Sequence, residues 1–250
     1  MADVTLTYKG STIAEMNNSG TKTLKTSGKY CEGDIGVSYV KPEGGTSDEL
    51  AKKIITREGN ITELPSDITK IGNYAFADCT MLRLSSLPNS VTAIGSYAFS
   101  NCTNIALTSL PSGITSIGSY AFDKCKNLAL TSLPSGITSI SSCAFSNCKN
   151  LALTSLPDGI TEIGEYGFAL CSNLTLTSLP DGITKIGNYA FRWCNGLTSI
   201  TFKGTPTSIS NSAFNGCTNL TNIYVPWAEG AVSGAPWGAT NATIHYNTTT

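Results

Sequence analysis

Cysteine is the residue whose type and spacing most invite chemistry in this chain. There are nine among 250 residues, and seven of them, Cys79, Cys102, Cys125, Cys148, Cys171, Cys194 and Cys217, recur every 23 residues. A structural metal site draws two or more ligands from a short stretch of sequence on converging elements. Here only Cys143 and Cys148 approach such a spacing, and no His stands near them. Disulfide bonding along the series would have to pair alternate rungs and distort the repeat, because a disulfide demands a particular Cα spacing and torsion. The spacing therefore predicts free, buried thiols serving as small apolar residues, with no metal and no cofactor. Cys31 and Cys143 stand outside the series, the latter at a place that holds Tyr in five other repeats.

The remaining candidates for chemistry do not assemble into a catalytic set. His245 is the only histidine and has no nucleophile or carboxylate at a recognised spacing. Ser27-Gly28-Lys29-Tyr30 hints at a phosphate loop, but Thr23 occupies the first glycine position of that motif and Tyr30 replaces the required Ser or Thr. The sequence predicts a protein that is not an enzyme.

What recurs with each Cys is a complete unit, marked by Ala-Phe three residues before it: Ala75-Phe76, Ala98-Phe99, Ala121-Phe122, Ala144-Phe145, Gly167-Phe168, Ala190-Phe191 and Ala213-Phe214. A fixed period of this length without insertions is the signature of a solenoid. In the copy from Leu110 to Ser132, LPSGITSIGSYAFDKCKNLALTS, the apolar skeleton is Leu110, Ile114, Ile117, Ala121, Phe122, Cys125, Leu128 and Leu130, with small or polar residues between. Ile117, Ala121 and Cys125 are spaced i, i+4, i+8, which predicts a short helical turn facing inward. Leu128-Ala129-Leu130-Thr131 alternates, which predicts a strand, and Pro111 and Gly113 punctuate the connection. One unit cannot bury its own apolar side, so stability must come from stacking.

With those residues in view, the string LPxGITxIGxYAFxxCxNL over residues 64 to about 226 is similar to the repeat of the BspA-like leucine-rich repeat proteins, a bacterial branch of the leucine-rich repeat superfamily. The resemblance implies an α/β solenoid, a right-handed superhelix of seven 23-residue coils, each a strand plus a short helical turn. It also implies a surface or secreted protein of the adhesive, non-enzymatic kind, and it supplies no site residues.

The ends lie outside this pattern. Residues 1–45 read as a small β module, with strands at Val4-Thr5-Leu6-Thr7-Tyr8 and Ile35-Gly36-Val37-Ser38-Tyr39-Val40. The stretch from Thr21 to Ile35 resembles an N-terminal element of tail-associated and other structural proteins of phages and prophages, which implies an attachment module. Residues 46–63 supply a linker and a capping helix over Asp48 to about Arg57, opened by Thr46 and Glu49 at capping-box spacing. The solenoid then spans residues 64–226. Residues 227–250, with Trp227, Trp237, Ile244 and Tyr246, read as the C-terminal cap that an exposed core end requires.

Composition narrows the partners. A formal charge of −1 with 13% charged residues gives no electrostatic reason to expect nucleic acid. No apolar run reaches the roughly 20 residues of a spanning helix, so no membrane insertion is expected. The start, Met1-Ala2-Asp3-Val4-Thr5, lacks a signal-peptide pattern, although the resemblances favour an extracellular, cell-surface or phage-particle location. The expected partner is a protein or glycan on a cell surface.

Binding candidates are the residues that vary or face outward while the skeleton repeats. One row of small residues includes Thr108, Thr131, Thr154 and Thr177, next to Arg83, Ala106, Ala129, Ala152, Thr175 and Thr198. It reads as a solvated flat face, and only Thr175-Leu176-Thr177 has the paired Thr-x-Thr form that could order water. A second column is Tyr74, Tyr97, Tyr120, Tyr166 and Tyr189, able to stack on sugar rings or anchor a protein, or simply to pack half-buried. Arg192-Trp193 departs from the small or polar pairs at the equivalent places, such as Ser100-Asn101, and is the strongest single hot-spot candidate.

Overall fold

A unit of 23 residues that cannot cover its own apolar side has one way to become stable, which is to lie against copies of itself. The computed structural model describes residues 4–8, 11–16, 22–24, 35–39, 64, 68–80 and 82–248. At the N-terminal end, β1 (Val4–Tyr8), β2 (Ser11–Met16), β3 (Lys22–Leu24) and β4 (Ile35–Tyr39) form an antiparallel sheet in the order β3-β2-β1-β4. Both strands expected there are present, with two more beside them. The expected capping helix over Asp48 to Arg57 lies outside the described residues.

In each coil the first ordered contact is a two-residue parallel strand ending in the buried Ile. β5 (Lys70–Ile71), β6 (Ala93–Ile94) and β7 (Ser116–Ile117) form one sheet. A second sheet is built from β8 (Ser139–Ile140), β9 (Glu162–Ile163), β11 (Lys185–Ile186) and β13 (Ser208–Ile209). A third, in a different part of the coil, contains β10 (Ser178–Leu179), β12 (Ser199–Phe202), β14 (Asn222–Tyr224) and β15 (Thr243–His245). The strand expected at Leu128–Thr131 is not one. That segment is joined to its neighbours only by single bonds such as Ala129 N to Leu107 O at 3.1 Å, and the equivalent segment pairs as a strand only from β12 onward.

The expected helical turn is also overturned: among the described residues there is no helix. In the coil of Phe122 the amides of Tyr120, Phe122 and Lys124 donate to Ser142, Ala144 and Ser146 of the next coil at 2.8–2.9 Å. The amides between them, those of Ala121, Asp123 and Cys125, fold back three residues to Gly118, Tyr120 and Phe122 at 3.1–3.2 Å. A helix needs every amide pointing along one axis to the residue four before. Alternation of this kind needs the backbone to reverse hand, and Tyr120 and Lys124 do so, at φ 58° and 61°. The i, i+4, i+8 residues Ile117, Ala121 and Cys125 still face inward, because a chain of successive turns returns to the core side with the same spacing.

Stacking creates columns. Phe99, Phe122 and Phe145 are wholly buried, with ring centroids 5.3 and 5.6 Å apart and planes within 9° of parallel. Beside them runs the thiol column. Cys125 Sγ donates to the carbonyl of Phe99 at 3.0 Å, and the same bond to the Phe 26 residues earlier recurs from Cys102 to Cys217. The repeated Cys is thus both apolar filler and a buried donor. All eight thiols from Cys79 to Cys217, Cys143 included, are buried, and none of them is joined in a disulfide.

One irregularity divides the first two sheets. A Cβ on Gly95 or Gly118 would lie 2.6 or 2.5 Å from a backbone nitrogen of the preceding coil, so glycine there allows the coils to close and form the bonds Gly95 N to Ile71 O and Gly118 N to Ile94 O, both 2.8 Å. Ser141 stands at that place in the next coil, where its hydroxyl instead donates to Ile117 O at 2.7 Å. The sheet restarts at β8. Ser210 occupies the same place farther along but keeps the amide bond to Ile186 at 3.0 Å, its hydroxyl turned to Asn188.

The coil count is also larger than the seven markers suggest. Trp237 lies 23 residues after Phe214, is fully buried, and accepts the Phe214 amide on its carbonyl at 2.9 Å. With β15 paired to β14, the stack has about eight turns. Trp227 meets Phe202 and Trp237 at ring distances of 5.3 and 6.3 Å, which closes the core at this end.

Two outcomes follow. Phe122→Ala should cost about 3–5 kcal/mol, because an aromatic is removed from the middle of a column whose neighbours are held by ladder bonds on both sides. An unchanged melting temperature would remove Phe122 from the core. Burial pushes the Cys102, Cys148 and Cys194 thiols well above their ordinary value and that of Cys217 up to about 12. The folded chain therefore keeps protons that the unfolded chain releases above about pH 9. Stability should be full below that pH and fall as pH rises toward the folded values, each thiol contributing up to about 1.4 kcal/mol per pH unit. Urea midpoints that stay flat from pH 8 to 11 would contradict this, as would rapid alkylation of these thiols in the native protein at neutral pH.

Candidate recognition surface

The left-handed positions that make the ladder possible also decide what faces solvent. Each of the six coils from Tyr74 to Trp193 has two of them, four residues apart. The first carries Tyr74, Tyr97, Tyr120, Cys143, Tyr166 and Tyr189, with φ between 53° and 58°. Bulky residues rarely adopt this backbone. Two residues later comes the buried Phe, so the Tyr side chain points away from the core and stacks on the next coil's Tyr. Tyr74, Tyr97 and Tyr120 are parallel within 5°, with centroids 4.8 and 4.6 Å apart. Tyr74 is 55% exposed and the other four tyrosines are half-buried.

Cys143 interrupts this stack. Its side chain hydrogen-bonds with Tyr120, an interaction that is the main cause of the Tyr120 phenol being pushed up to about 12, while burial raises the Cys143 thiol itself. Beyond the interruption Tyr166 and Tyr189 resume stacking at 5.1 Å, tilted by 26°.

The column ends where the structure brings Tyr189, Arg192 and Trp193 together. The Arg192 guanidinium carbon lies 3.9 Å from the centre of the Trp193 ring and 5.1 Å from that of Tyr189, a cation held between two aromatic faces. Arg192 Nε is buried without a hydrogen-bond partner. Trp193 occupies the second left-handed position at φ 57° and is 43% exposed, and it covers Gly216, where a Cβ would run into the indole. Asp78, Asn101, Lys124, Asn147 and Leu170 fill the same position in other coils. Left-handed backbone costs a residue with a Cβ about 1–2 kcal/mol, and Asn tolerates it better than Trp.

Thr108, Thr131, Thr154 and Thr177 are all exposed, as expected. They lie in the segment after the marker Cys, apart in the coil from the tyrosines, and the structure does not unite the two sets.

Reasoning from the repeat alone missed a groove of about 340 Å³ lined by Ser132, Ser155, Ser178, Asp158 and Lys203 over a floor that includes Leu156, Pro157 and Pro180. A signal for it exists when the units are aligned with one another, where Lys203 falls in the row of Pro134, Pro157 and Pro180, and Asp158 in that of Ser135. Among the described residues no three His, Cys, Asp or Glu side chains converge as a metal site, and no helix is long and apolar enough to cross a membrane.

A stack of short parallel strands joined by turns, with columns of Phe and Leu inside, defines a repeat β-solenoid. The chain belongs to the BspA type leucine rich repeat family, whose model matches residues 58–175 and 139–229 with six copies. Among solved structures it is similar to a leucine-rich repeat protein from Bacteroides ovatus at 26% identity, covering 74% of this chain and 60% of that one, with a TM-score of 0.45. A leucine rich repeat protein of T. pallidum shares 28% identity over 77% of each chain, TM-score 0.44. The pneumococcal vaccine antigen PcpA shares 18%, over 75% of this chain and 56% of its own, TM-score 0.43. This chain thus spans less than two thirds of the Bacteroides ovatus protein. No curated protein matches it.

The geometry at Trp193 makes a stability prediction. Trp193→Asn places at φ 57° the residue that Asn101 and Asn147 already place there, so the strain relieved should offset the packing given up over Gly216. Calorimetry should show a melting temperature within about 3 °C of the parent, the range of a surface change near 0.5 kcal/mol. A much larger drop would make Trp193 part of the fold.

Proposed function

We propose that this chain is a non-enzymatic recognition protein, whose solenoid presents the tyrosine column and its Tyr189–Arg192–Trp193 end to a protein or glycan on a bacterial or host surface. The observation that carries the reading is Trp193. A large aromatic side chain is held half-exposed on a strained backbone, braced by a cation, at a position where its relatives in the repeat are mostly small or polar. Half-exposed Trp and Arg together are the composition of an interface hot spot. Membership of a leucine rich repeat family supports a binding scaffold in general.

In this reading the solenoid works as a rigid display. Its face needs no reorganisation before contact, which lowers the entropic cost of binding, and many copies on one cell or particle multiply weak contacts. The four-stranded module at residues 4–39 would serve as the attachment point, on a cell surface or on a phage particle.

The test is binding of the purified chain to bacterial envelope fractions, host-cell surface fractions and a glycan array. Saturable binding should weaken by roughly thirtyfold in Trp193→Asn, the scale of a hot-spot loss, with thermal stability retained. Absence of binding to every fraction and glycan would end this reading and leave a purely structural spacer, in which only the columns of Phe, Leu and Cys matter.

A further inference from the structure

The groove found beside the prolines is built on a serine row that repeats, and it ends where the repeat is broken at Lys203. Ser132, Ser155 and Ser178 are one position in three successive coils, so their hydroxyls form a wall about 10 Å long at the roughly 4.8 Å spacing of neighbouring strands. Asp158 belongs to the row on the other side, where the preceding coil has Ser135. Leu156 and Pro157 supply an apolar floor. Lys203 closes the C-terminal end, because the Pro row breaks there and a flexible cation takes the place of a ring.

These groups are not used inside the protein. Among the described residues, none of the three serine hydroxyls makes a hydrogen bond, the Asp158 carboxylate has neither hydrogen bond nor ion pair, and Lys203 has no carboxylate partner. At about 340 Å³ the groove lies within the range of small-molecule sites, roughly 300–1,000 Å³. Its chemistry is specific in kind. A row of hydroxyls and one carboxylate can exchange hydrogen bonds with a polyhydroxylated chain, apolar floor atoms suit the carbon face of a sugar ring, and an unpaired ammonium at one end calls for a carboxylate.

We infer that the groove between Ser155, Asp158 and Lys203 is a binding site for a carboxylated saccharide about two rings long, its carboxylate on Lys203 and its hydroxyls shared between the serine wall and Asp158. This deepens the recognition reading, but it stands on a different set of residues from the tyrosine column, so either can fail alone.

The experiment is calorimetric titration of the full chain with digalacturonate, sialyllactose and lactose, repeated with Lys203→Gln, Lys203→Arg and Trp193→Asn. At least one of the two acids should bind more tightly than lactose, with affinity falling as salt is raised. Lys203→Gln should weaken that acid roughly fivefold, the scale of a partly exposed ion pair, while Lys203→Arg binds as the parent does. Preference for digalacturonate points to a polysaccharide as the source, and preference for sialyllactose to a cell-surface glycan. The inference is overturned if neither acid binds at millimolar concentration, if lactose binds as tightly as the acids, or if Lys203→Gln binds like the parent. Loss in Trp193→Asn with Lys203→Gln unaffected would move the sugar to the aromatic column and equally overturn the groove.

Discussion

Every coil of this protein hangs on backbone hydrogen bonds made alternately to the next coil and to itself. Amides of Tyr120, Phe122 and Lys124 cross to the following coil, and those between them close tight turns. An unpaired buried amide costs on the order of 1–3 kcal/mol, so the segment must satisfy every donor, and this alternation does so without a helix. The constraint reaches outward. In the six coils from Tyr74 to Trp193 it forces two residues into left-handed backbone, which the ladder's bonds on both sides make tolerable.

From that constraint the rest of the architecture follows. Reversal of hand at Tyr120 places Phe122 inward and the Tyr ring outward, so one set of bonds produces both a stacked core column and a stacked surface column. The close approach of coils leaves no room for a Cβ at Gly95 and Gly118, and the sheet divides where Ser141 enters. In the same coil Cys143 replaces the Tyr, so the break in the sheet and the break in the surface stack lie two residues apart. The thiols have a related part. From Cys102 to Cys217 the repeated thiol fills a small space and donates a hydrogen bond to a Phe carbonyl of the preceding coil, a bond that extends the inter-coil network through a residue that looks merely apolar.

Much of this was legible in the residues. The period, the inward set from Ile117 to Leu130, the buried free thiols and the two N-terminal strands at Val4–Tyr8 and Ile35–Tyr39 are all where pattern reasoning places them. The secondary structure within the unit was not legible in the same way. Spacing of i, i+4, i+8 marks residues that return to one side, and a helix is only one backbone path that does so. Nothing in LPSGITSIGSYAFDKCKNLALTS announces positive φ at Tyr or Lys, because those residues do not favour it, and the compensation comes from the neighbouring coil. Likewise Arg192 and Trp193 were visible as departures from the repeat, whereas the groove at Lys203 became visible only when its rows were brought side by side.

The sequence by itself determined that identical units must stack, which residues turn inward and which positions are free to differ, since burial acts on side-chain type at a fixed period. Tertiary structure alone decided the backbone path between them, the register of the ladder, the eighth turn closed by Trp237, and which variable residues become neighbours. The reason is that a coil's backbone is satisfied by the next coil and not by itself. Its conformation is a property of the stack, and no single unit contains the partner that selects it.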